Sequence, residues 1–514
     1  MSESLQGISI SAPGFEGLNK NASAVDLPPQ WALQGDNCIL DIGSRVACRK
    51  GWVQVTTTPL VSTPNIVAMA EYLQKDGTTQ IISAAGNNIY SGTTTLTSIY
   101  STAITADYWQ MVNFNNYLWL FQRNHAPLRY DGTTVATIAS LGGTGTVPQG
   151  NCVLGAYGRL WVGDTATDKT VLSYSDLLIG QNWTGGSAGA IDLKSVWTNG
   201  ADEIVAIGAQ NGFLVVFGRT SILVYSNPST PTSMALVEHI KGIGCVARDS
   251  IVNIANDILF LSNSGVRSLA RSIQTNNMPL QDVSQYVRDD VVYSLSLETN
   301  PNAIKSVYHE PEGFYLLTFP TNNTTFYFDM RKVRTAVSST TATAPADGQG
   351  SAPAFEWNGI NPKALLSARD KTLYLGQAGV VGKYSGYTDN GMTYDLNYST
   401  AWLSFDAPYT TKILKRIKTT VAGNINITFT VKWAYDYTGL YYTAQQTITN
   451  SAVAEYGIAE YGIAEYNSSI AINELSSPGQ SAGKMLQVGL NATINGGAFA
   501  IQRFDVLVKK GRIR

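Results

Sequence analysis

Charge is what this sequence of 514 residues most clearly lacks. Asp, Glu, Lys and Arg make up only 14% of it, against roughly a quarter of an ordinary soluble domain. The net charge of -2 argues against a protein that grips nucleic acid by neutralising phosphates, although DNA could still slide past it. Thr, Ser, Asn, Gly and Tyr take the place of the charged residues. These residues suit pleated strands and tight turns, so the composition favours an all-β fold.

Long apolar runs are missing as well. No window approaches the roughly eighteen consecutive apolar residues of a transmembrane helix. The first residues, MSESLQGISISAPGFEG, contain neither the basic nor the apolar region of a signal peptide. We therefore expect neither secretion by a signal peptide nor stable membrane association.

Residues that build metal centres and active sites are scarce and scattered. The cysteines form no CxxC pair and the histidines stand at no metal-ligand spacing; they are Cys38, Cys48, Cys152, Cys245, His125, His239 and His309. A GxSxG match from Gly479 to Gly483 lies in a loop and has no histidine after it, so it cannot supply a nucleophile-elbow triad. We expect reduced structural thiols, no cofactor, no metal and no enzymatic activity.

Short hairpins recur along the middle of the chain, each a strand, a polar turn and a second strand rich in Leu, Tyr, Trp or Phe. A third strand often follows, as in SILVYSN from Ser221. Seven such units start at Ile81, Met111, Cys152, Ile207, Val252, Val307 and Leu365. Repetition about every 45 residues is typical of propeller blades, whose small sheets bury their faces by stacking around an axis. The pattern predicts a β-propeller of six to eight blades, with seven counted; a row of hairpins in sandwich domains is the alternative.

Two other regions flank the predicted propeller. Residues 1–60 are rich in Pro, Gly and Asn and predict an extended N-terminal arm that packs along other elements. Residues 61–397 hold the propeller, with a low-complexity surface loop at about 336–353. Residues 398–514 contain alternating strands such as INITFTVKW from Ile425, which predict a C-terminal antiparallel β-sandwich-like domain.

A direct repeat, AEYGI-AEYGI-AEYN, interrupts the C-terminal region. A period of five keeps its tyrosines on one face of neither a strand nor a helix, so a projecting loop fits better. One interpretation is a duplicated surface loop. The other is a contact or channel-lining element, in which glutamates from several subunits form a carboxylate belt that repels DNA phosphates. The candidate residues are Glu455, Tyr456, Glu460, Tyr461, Glu465 and Tyr466.

Several stretches resemble the tail nozzle and tail hub proteins of short-tailed bacteriophages. The segment APGFEGLNKNASAVDLPPQWALQGDNCILDIGSRVACRKGW is similar to the opening of those proteins, including its closing Arg-x-Gly-Trp. The stretches FGRTSILVYSN, KGIGCVARDSIVNIANDILFLSNSGVRSLAR and VLSYSDLLIGQNWTGGSAGAIDL are similar to their blades, and WAYDY and the AEYGI repeat to their distal part. The likeness covers most of the chain but contains no catalytic signature.

The resemblance implies a structural virion protein that is assembled in the bacterial cytoplasm. Such a protein forms a ring, of six copies, at the distal end of the portal–adaptor column of the tail. It retains packaged double-stranded DNA, forms the conduit for genome ejection and carries tail fibres or spikes. This chain is shorter than the largest nozzle proteins and nearer the compact hub type, so terminal nozzle and intermediate hub both remain open.

Two other functions fit a propeller. A receptor- or glycan-binding module of a tail fibre or spike would use aromatic rings beside carboxylates; the candidates are Trp119, Trp161 and Trp183, which do not recur at one blade position. A propeller hydrolase would need a cluster of carboxylates in the central channel.

Overall fold

A computed structural model of the chain describes residues 5–102, 108–197, 202–255, 257–269, 283–333, 350–449 and 471–511. Strands dominate these ranges, and the α-helix among them is α1 (Arg288–Leu297). The strands form a β-propeller and, beside it, two larger sheets that face each other as a sandwich. The predicted all-β propeller fold with a sandwich-like C-terminal part is confirmed.

The first sixty residues contain six short strands and no sheet of their own. They are β1 (Leu5–Ser11), β2 (Gly17–Leu18), β3 (Trp31–Asp36), β4 (Cys38–Leu40), β5 (Val46–Cys48) and β6 (Trp52–Gln54).

Four consecutive antiparallel sheets of four strands begin the propeller. Their strands are β7 (Ile66–Leu73), β8 (Thr79–Ala85), β9 (Asn88–Ser91), β10 (Thr97–Tyr100), β11 (Gln110–Phe114), β12 (Tyr117–Phe121), β13 (Leu128–Tyr130), β14 (Val135–Thr137), β15 (Gly150–Ala156), β16 (Arg159–Thr165), β17 (Val171–Tyr174), β18 (Gly189–Asp192), β19 (Ile204–Gln210), β20 (Phe213–Gly218), β21 (Ser221–Ser226) and β22 (Ala235–Lys241).

The ring continues with a blade of three described strands, a four-stranded unit and a last blade that β6 completes. These strands are β23 (Val252–Ile254), β24 (Asp257–Ser262), β25 (Gly265–Ser268), β26 (Lys305–His309), β27 (Phe314–Phe319), β28 (Thr324–Asp329), β29 (Ala354–Trp357), β30 (Ala364–Ser367), β31 (Leu373–Gly376) and β32 (Val381–Tyr384).

Six blades are sheets of their own, one fewer than the seven units counted in the sequence. The difference lies in the unit that starts at Val307, which occupies β26 to β29 between the β23 and β30 blades. Its outer strand β29 pairs in parallel with β3 through Glu356 and Asp36, so the unit belongs to a ten-stranded sheet that runs on into the sandwich.

The remaining strands complete the sandwich. They are β33 (Tyr394–Thr400), β34 (Lys412–Gly423), β35 (Ile427–Tyr435), β36 (Tyr442–Ile448), β37 (Ala471–Pro478), β38 (Ala482–Gly483), β39 (Leu486–Ile494) and β40 (Phe499–Lys510). The ten-stranded sheet ends in the order β3-β33-β39-β35-β36, and the seven-stranded sheet opposite it runs β37-β34-β40-β5-β4 with β1 also on β40. Aromatic rings fill the space between them; Tyr398 stacks on Phe504 with centroids 6.1 Å apart.

Left-handed turn residues explain why the blade hairpins close tightly. Asn115 and Asn116 both have positive φ between β11 and β12, the geometry of a two-residue hairpin turn that Asn and Gly accept best. Asn211 and Gly212 repeat it between β19 and β20. The polar turns that punctuate the sequence are therefore the local cause of the repeated hairpins.

Candidate functional site

None of the six predicted contact residues can be placed. Glu455, Tyr456, Glu460, Tyr461, Glu465 and Tyr466 lie in 450–470, outside the described residues. That segment connects β36 to β37, which are the edge strands of the two sandwich sheets. The carboxylate-belt hypothesis stays a prediction.

The tryptophans considered for glycan binding are core residues. Trp119 and Trp161 are 1% and 0% exposed and Trp183 is 5% exposed. The indole N–H of Trp119 donates to the Phe114 carbonyl at 2.9 Å, and that of Trp161 to the Ala156 carbonyl at 3.1 Å. All three indole rings are buried in the propeller, so none has a face available to stack on a sugar.

Cysteines and histidines form no metal centre within the described ranges. All four cysteines are buried free thiols. Burial raises the pKa of the Cys48 and Cys245 thiols to about 11, so they are poor nucleophiles at neutral pH. The GxSxG match starts after β37 and ends in the short strand β38, not at the strand-to-helix turn that a nucleophile elbow needs.

A cavity of about 440 Å³ lies where the inner strands of the propeller meet. Every unit of the ring contributes to it, and both polar and apolar groups line its wall; the apolar residues include Val67, Met111, Val153, Ile207, Val252 and Leu365. Its volume is that of a small-molecule pocket, about 300–1,000 Å³. A DNA duplex does not fit into a cavity of this volume, because its major groove alone is about 12 Å wide.

One side of this axial cavity is charged. Arg248 and Asp249 stand just before β23, and Lys305 opens β26. Arg248 binds the Asp249 carboxylate with Nε and Nη2 at 2.8 and 2.9 Å. The Lys305 ammonium contacts the same carboxylate and lies 4.7 Å from the centroid of the Tyr108 ring. We call these three residues the axial triad.

Hydrogen bonds join the axial triad to other blades. Arg248 Nη1 donates to the Asn151 carbonyl and Oδ1 at 2.6 and 2.8 Å, and Ser306 Oγ donates to the Asp249 carbonyl at 2.9 Å. Asn151 in turn donates to Asp164 at 3.1 Å. The triad thus connects three units of the ring, and its carboxylate is fully engaged with protein cations.

Electrostatics favour the anionic form of Asp249 in the axial triad. Burial alone would raise the pKa of Asp249, but the two neighbouring cations lower it well below its usual range. Burial lowers the pKa of the Lys305 ammonium, and the Asp249 carboxylate opposes that shift. A buried carboxylate held as an anion in this way suits charge pairing and not general acid catalysis.

A second buried charge cluster lies where the N-terminal arm meets the last blade. Arg49 is fully buried and binds Asp389 with Nη1–Oδ1 and Nη2–Oδ2 distances of 2.8 and 2.7 Å. Its Nε donates to Asn37 Oδ1 at 2.9 Å, and its guanidinium lies 4.1 Å from the Tyr394 ring centroid. Lys50 and Gly51 then connect Arg49 to β6, which completes the last blade. We call the cluster of Arg49, Asn37, Asp389 and Tyr394 the arm joint.

His309, at the end of β26, gives the propeller a pH-dependent element. It is 4% exposed and packs 5.2 Å from the Phe314 ring. Burial lowers the pKa of its imidazole below the usual 6.5, so the unfolded chain binds more protons than the folded one as the pH falls through 6.5.

We expect folding stability to be highest above pH 6.5 and to decline below it because His309 must then be charged in the core. Replacing it, His309→Gln, should flatten this decline. Urea unfolding between pH 7.5 and 5 measures the slope for both chains. Equal slopes would show that His309 does not carry the dependence.

The fold and its two charge clusters define a β-propeller locked to a β-sandwich. Neither a family model nor a curated protein matches the chain. Among the described ranges, no helix has both the length and the apolar character that crossing a bilayer requires.

Solved propeller structures are similar at low identity. Streptogramin B lyase matches with 12% identity and a TM-score of 0.36, over 65% of this chain and 97% of that one. The N-terminal domain of Nup159 matches with 10% identity and a TM-score of 0.35, over 65% and 95%. PorZ, a surface component of the type-IX secretion system of Porphyromonas gingivalis, matches with 12% identity and a TM-score of 0.34 over 68% of this chain, which spans 43% of PorZ. At these TM-scores the matches carry no argument about this chain.

Proposed function

We propose that this chain is a non-enzymatic structural subunit of the tail of a short-tailed bacteriophage. Copies of it form a ring, of six subunits, that joins the portal–adaptor column, retains the packaged DNA and forms part of the ejection conduit. Tail fibres or spikes are its further partners. The sequence resemblance motivates this proposal, and the construction of the arm joint is the observation that supports it.

The N-terminal arm, which contains the segment that resembles tail proteins, pairs with strands of both the sandwich and the propeller. Its strand β3 lies between β29 and β33 in the ten-stranded sheet, and β5 pairs with β40 in the other sandwich sheet. Its strand β6 then closes the last blade against β32. Propeller and sandwich cannot separate unless these long-range pairings break. This pairing of one arm with both propeller and sandwich suits a subunit that must resist the pressure of packaged DNA and remain folded when the DNA is released.

The conduit in this proposal runs between subunits and not through the propeller. The axial cavity is too small for a duplex, and the axial triad occupies one side of it. A ring of copies around a common axis provides a wide channel instead. The low charge of the chain suits a wall that DNA passes without adhering, because strong phosphate binding needs many lysines and arginines.

A glycan- or receptor-binding module is the second candidate, and an exposed aromatic patch favours it. Tyr437, Tyr441 and Tyr442, around the turn between β35 and β36, are 50%, 43% and 41% exposed. Tyr437 packs 4.7 Å from the Trp402 ring. Rings held in this way could stack on a sugar.

Native mass spectrometry and electron microscopy of the protein, alone and mixed with portal–adaptor complexes, separate the two candidates. We expect six-fold rings, or particles in which this chain caps the portal–adaptor column. A monomer that leaves the column bare and binds glycans on an array would overturn the ring proposal and support the second candidate.

A further inference from the structure

Positive charge exceeds negative charge on the wall of the axial cavity. Arg248 and Lys305 are 2% and 5% exposed, and both share the one carboxylate of Asp249. The next carboxylate, Asp164, binds Arg123 and Lys169. The axial triad therefore leaves one formal positive charge in the cavity wall, in surroundings where an unbalanced charge is costly.

Two buried donors on this wall keep N–H groups without an acceptor among the described residues, whereas Arg248 is well paired. Nε and Nη2 of Arg248 bind Asp249, and Nη1 binds the carbonyls of Tyr108 and Asn151. The Lys305 ammonium has three N–H groups, and its one hydrogen-bond acceptor within the described ranges is Asp249. The indole N–H of Trp109, another cavity-lining residue that is 2% exposed, has no acceptor there either.

Apolar side chains also line the wall, with Met69, Met111, Ile207, Val252 and Leu365 among them, beside the polar residues Gln110, Asn253 and Ser306. We propose that the axial cavity binds a small organic anion, with its carboxylate or phosphate head against Lys305 and its apolar body along the inner strands. Such a head supplies the missing negative charge and accepts the unused N–H groups of the lysine. The volume of about 440 Å³ accommodates a head group with a chain of several carbons.

Four probes test this on the unmodified chain by isothermal titration calorimetry. Octanoate and octyl phosphate combine an anionic head with an apolar body, whereas octanol lacks the charge and inorganic phosphate lacks the body. We expect octanoate or octyl phosphate to bind at least tenfold more tightly than octanol and inorganic phosphate. The tighter of the two anions identifies the head group. Octanol binding as tightly as octanoate, or no binding by any probe, would overturn the proposal.

A variant identifies the residue. Lys305→Met keeps the length of the side chain and removes its charge, and Asp249 keeps its two hydrogen bonds to Arg248, so the variant should fold. We expect it to lose at least tenfold in affinity for the better anion and to bind octanol unchanged. Lys383→Met, at an exposed position in β32, is the matched control and should bind as the unmodified chain does. Undiminished anion binding by Lys305→Met would contradict the assignment, and the four-probe comparison decides the charge requirement without any variant.

Discussion

Replacing Arg49 with alanine is expected to destabilise the protein by about 3–5 kcal/mol, the usual cost of leaving one member of a buried ion pair alone. Asp389, whose side chain is 11% exposed, would lose both of its guanidinium hydrogen bonds. The Asn37 side chain and the Asn358 carbonyl would lose donors as well. Equilibrium unfolding in urea or guanidinium measures the loss.

Arg503→Ala is the matched control for this experiment. Arg503 also binds a carboxylate, Asp505, with Nε 2.7 Å away, but its side chain is 46% exposed. Exposed pairs contribute about 0–1 kcal/mol, so the control should change stability little. The double replacement Arg49→Met with Asp389→Leu should recover much of the loss because no charge is then left alone. Equal effects of Arg49→Ala and Arg503→Ala would show that the arm joint is no more important than a surface pair.

The blades were predictable because their signals are local. A hairpin needs a two-residue turn and apolar residues at alternate positions, and both stand side by side in the sequence. Six of the seven units, from Met111 onward, begin on the inner strand of their blade. The first unit, at Ile81, covers β8 and β9 and misses the inner strand β7 (Ile66–Leu73), although the Asp76-Gly77 turn between β7 and β8 was a local signal for it.

The connections between propeller and sandwich were not predictable, since they join residues far apart in sequence. Asp36 pairs with Glu356, and Cys48 lies beside Phe499, whose amide donates to its sulfur at 3.3 Å. No local pattern specifies such partners. This is why the β26–β29 unit was counted as a separate blade when it is part of a larger sheet.

The axial triad was missed for a similar reason, although a signal existed. Arg248-Asp249 and Lys305 stand 56 residues apart and only the ring closure brings them together. The Arg-Asp pair is a weak signal, since it occurs three times in the sequence, at Arg248, Arg288 and Arg369. Arg288 and its neighbour Asp289 are exposed, so the pair alone does not identify a buried cluster.

The Arg-x-Gly-Trp phrase that supported the family resemblance now has a structural explanation. Arg49 anchors the arm to Asp389, and Trp52 starts the strand that closes the last blade, with its amide bonded to the Thr388 carbonyl at 3.0 Å. The phrase therefore marks how a propeller is closed by its N-terminal arm. Its residues act in the closure of the propeller, so the phrase alone supports the fold more strongly than the tail function.

Gly51→Ala is expected to open that closure. A Cβ at residue 51 would lie 1.9 Å from the Thr388 carbonyl oxygen and 2.4 Å from its carbon. The new Cβ is attached directly to the backbone and the Thr388 atoms are backbone atoms, so no side-chain rotation relieves this contact. Relief requires Gly51 and the Thr388 backbone to move apart, which breaks the hydrogen bond from the Trp52 amide to the Thr388 carbonyl and strains the adjacent pairing of Val53 with Lys383. Overpacking of a core costs about 1–3 kcal/mol and occasionally more; with backbone as the obstacle, we expect about 3 kcal/mol or more.

The location of the damage distinguishes blade opening from general instability. Hydrogen exchange should quicken in β32, the partner of β6, while the blade of β11 to β14 on the other side of β7 keeps its protection, because opening is local before it is global. Gly7→Ala is the matched control: its new Cβ would meet the movable end of the Leu507 side chain at 3.1 Å and the Val506 carbonyl oxygen at an ordinary contact distance of 3.8 Å, so stability should stay within about 0.5 kcal/mol. If Gly51→Ala unfolded at the same denaturant concentration as Gly7→Ala and kept β32 protected, the arm would not be what holds the ring closed. The interlocked subunit on which the tail proposal depends would then lose its structural support.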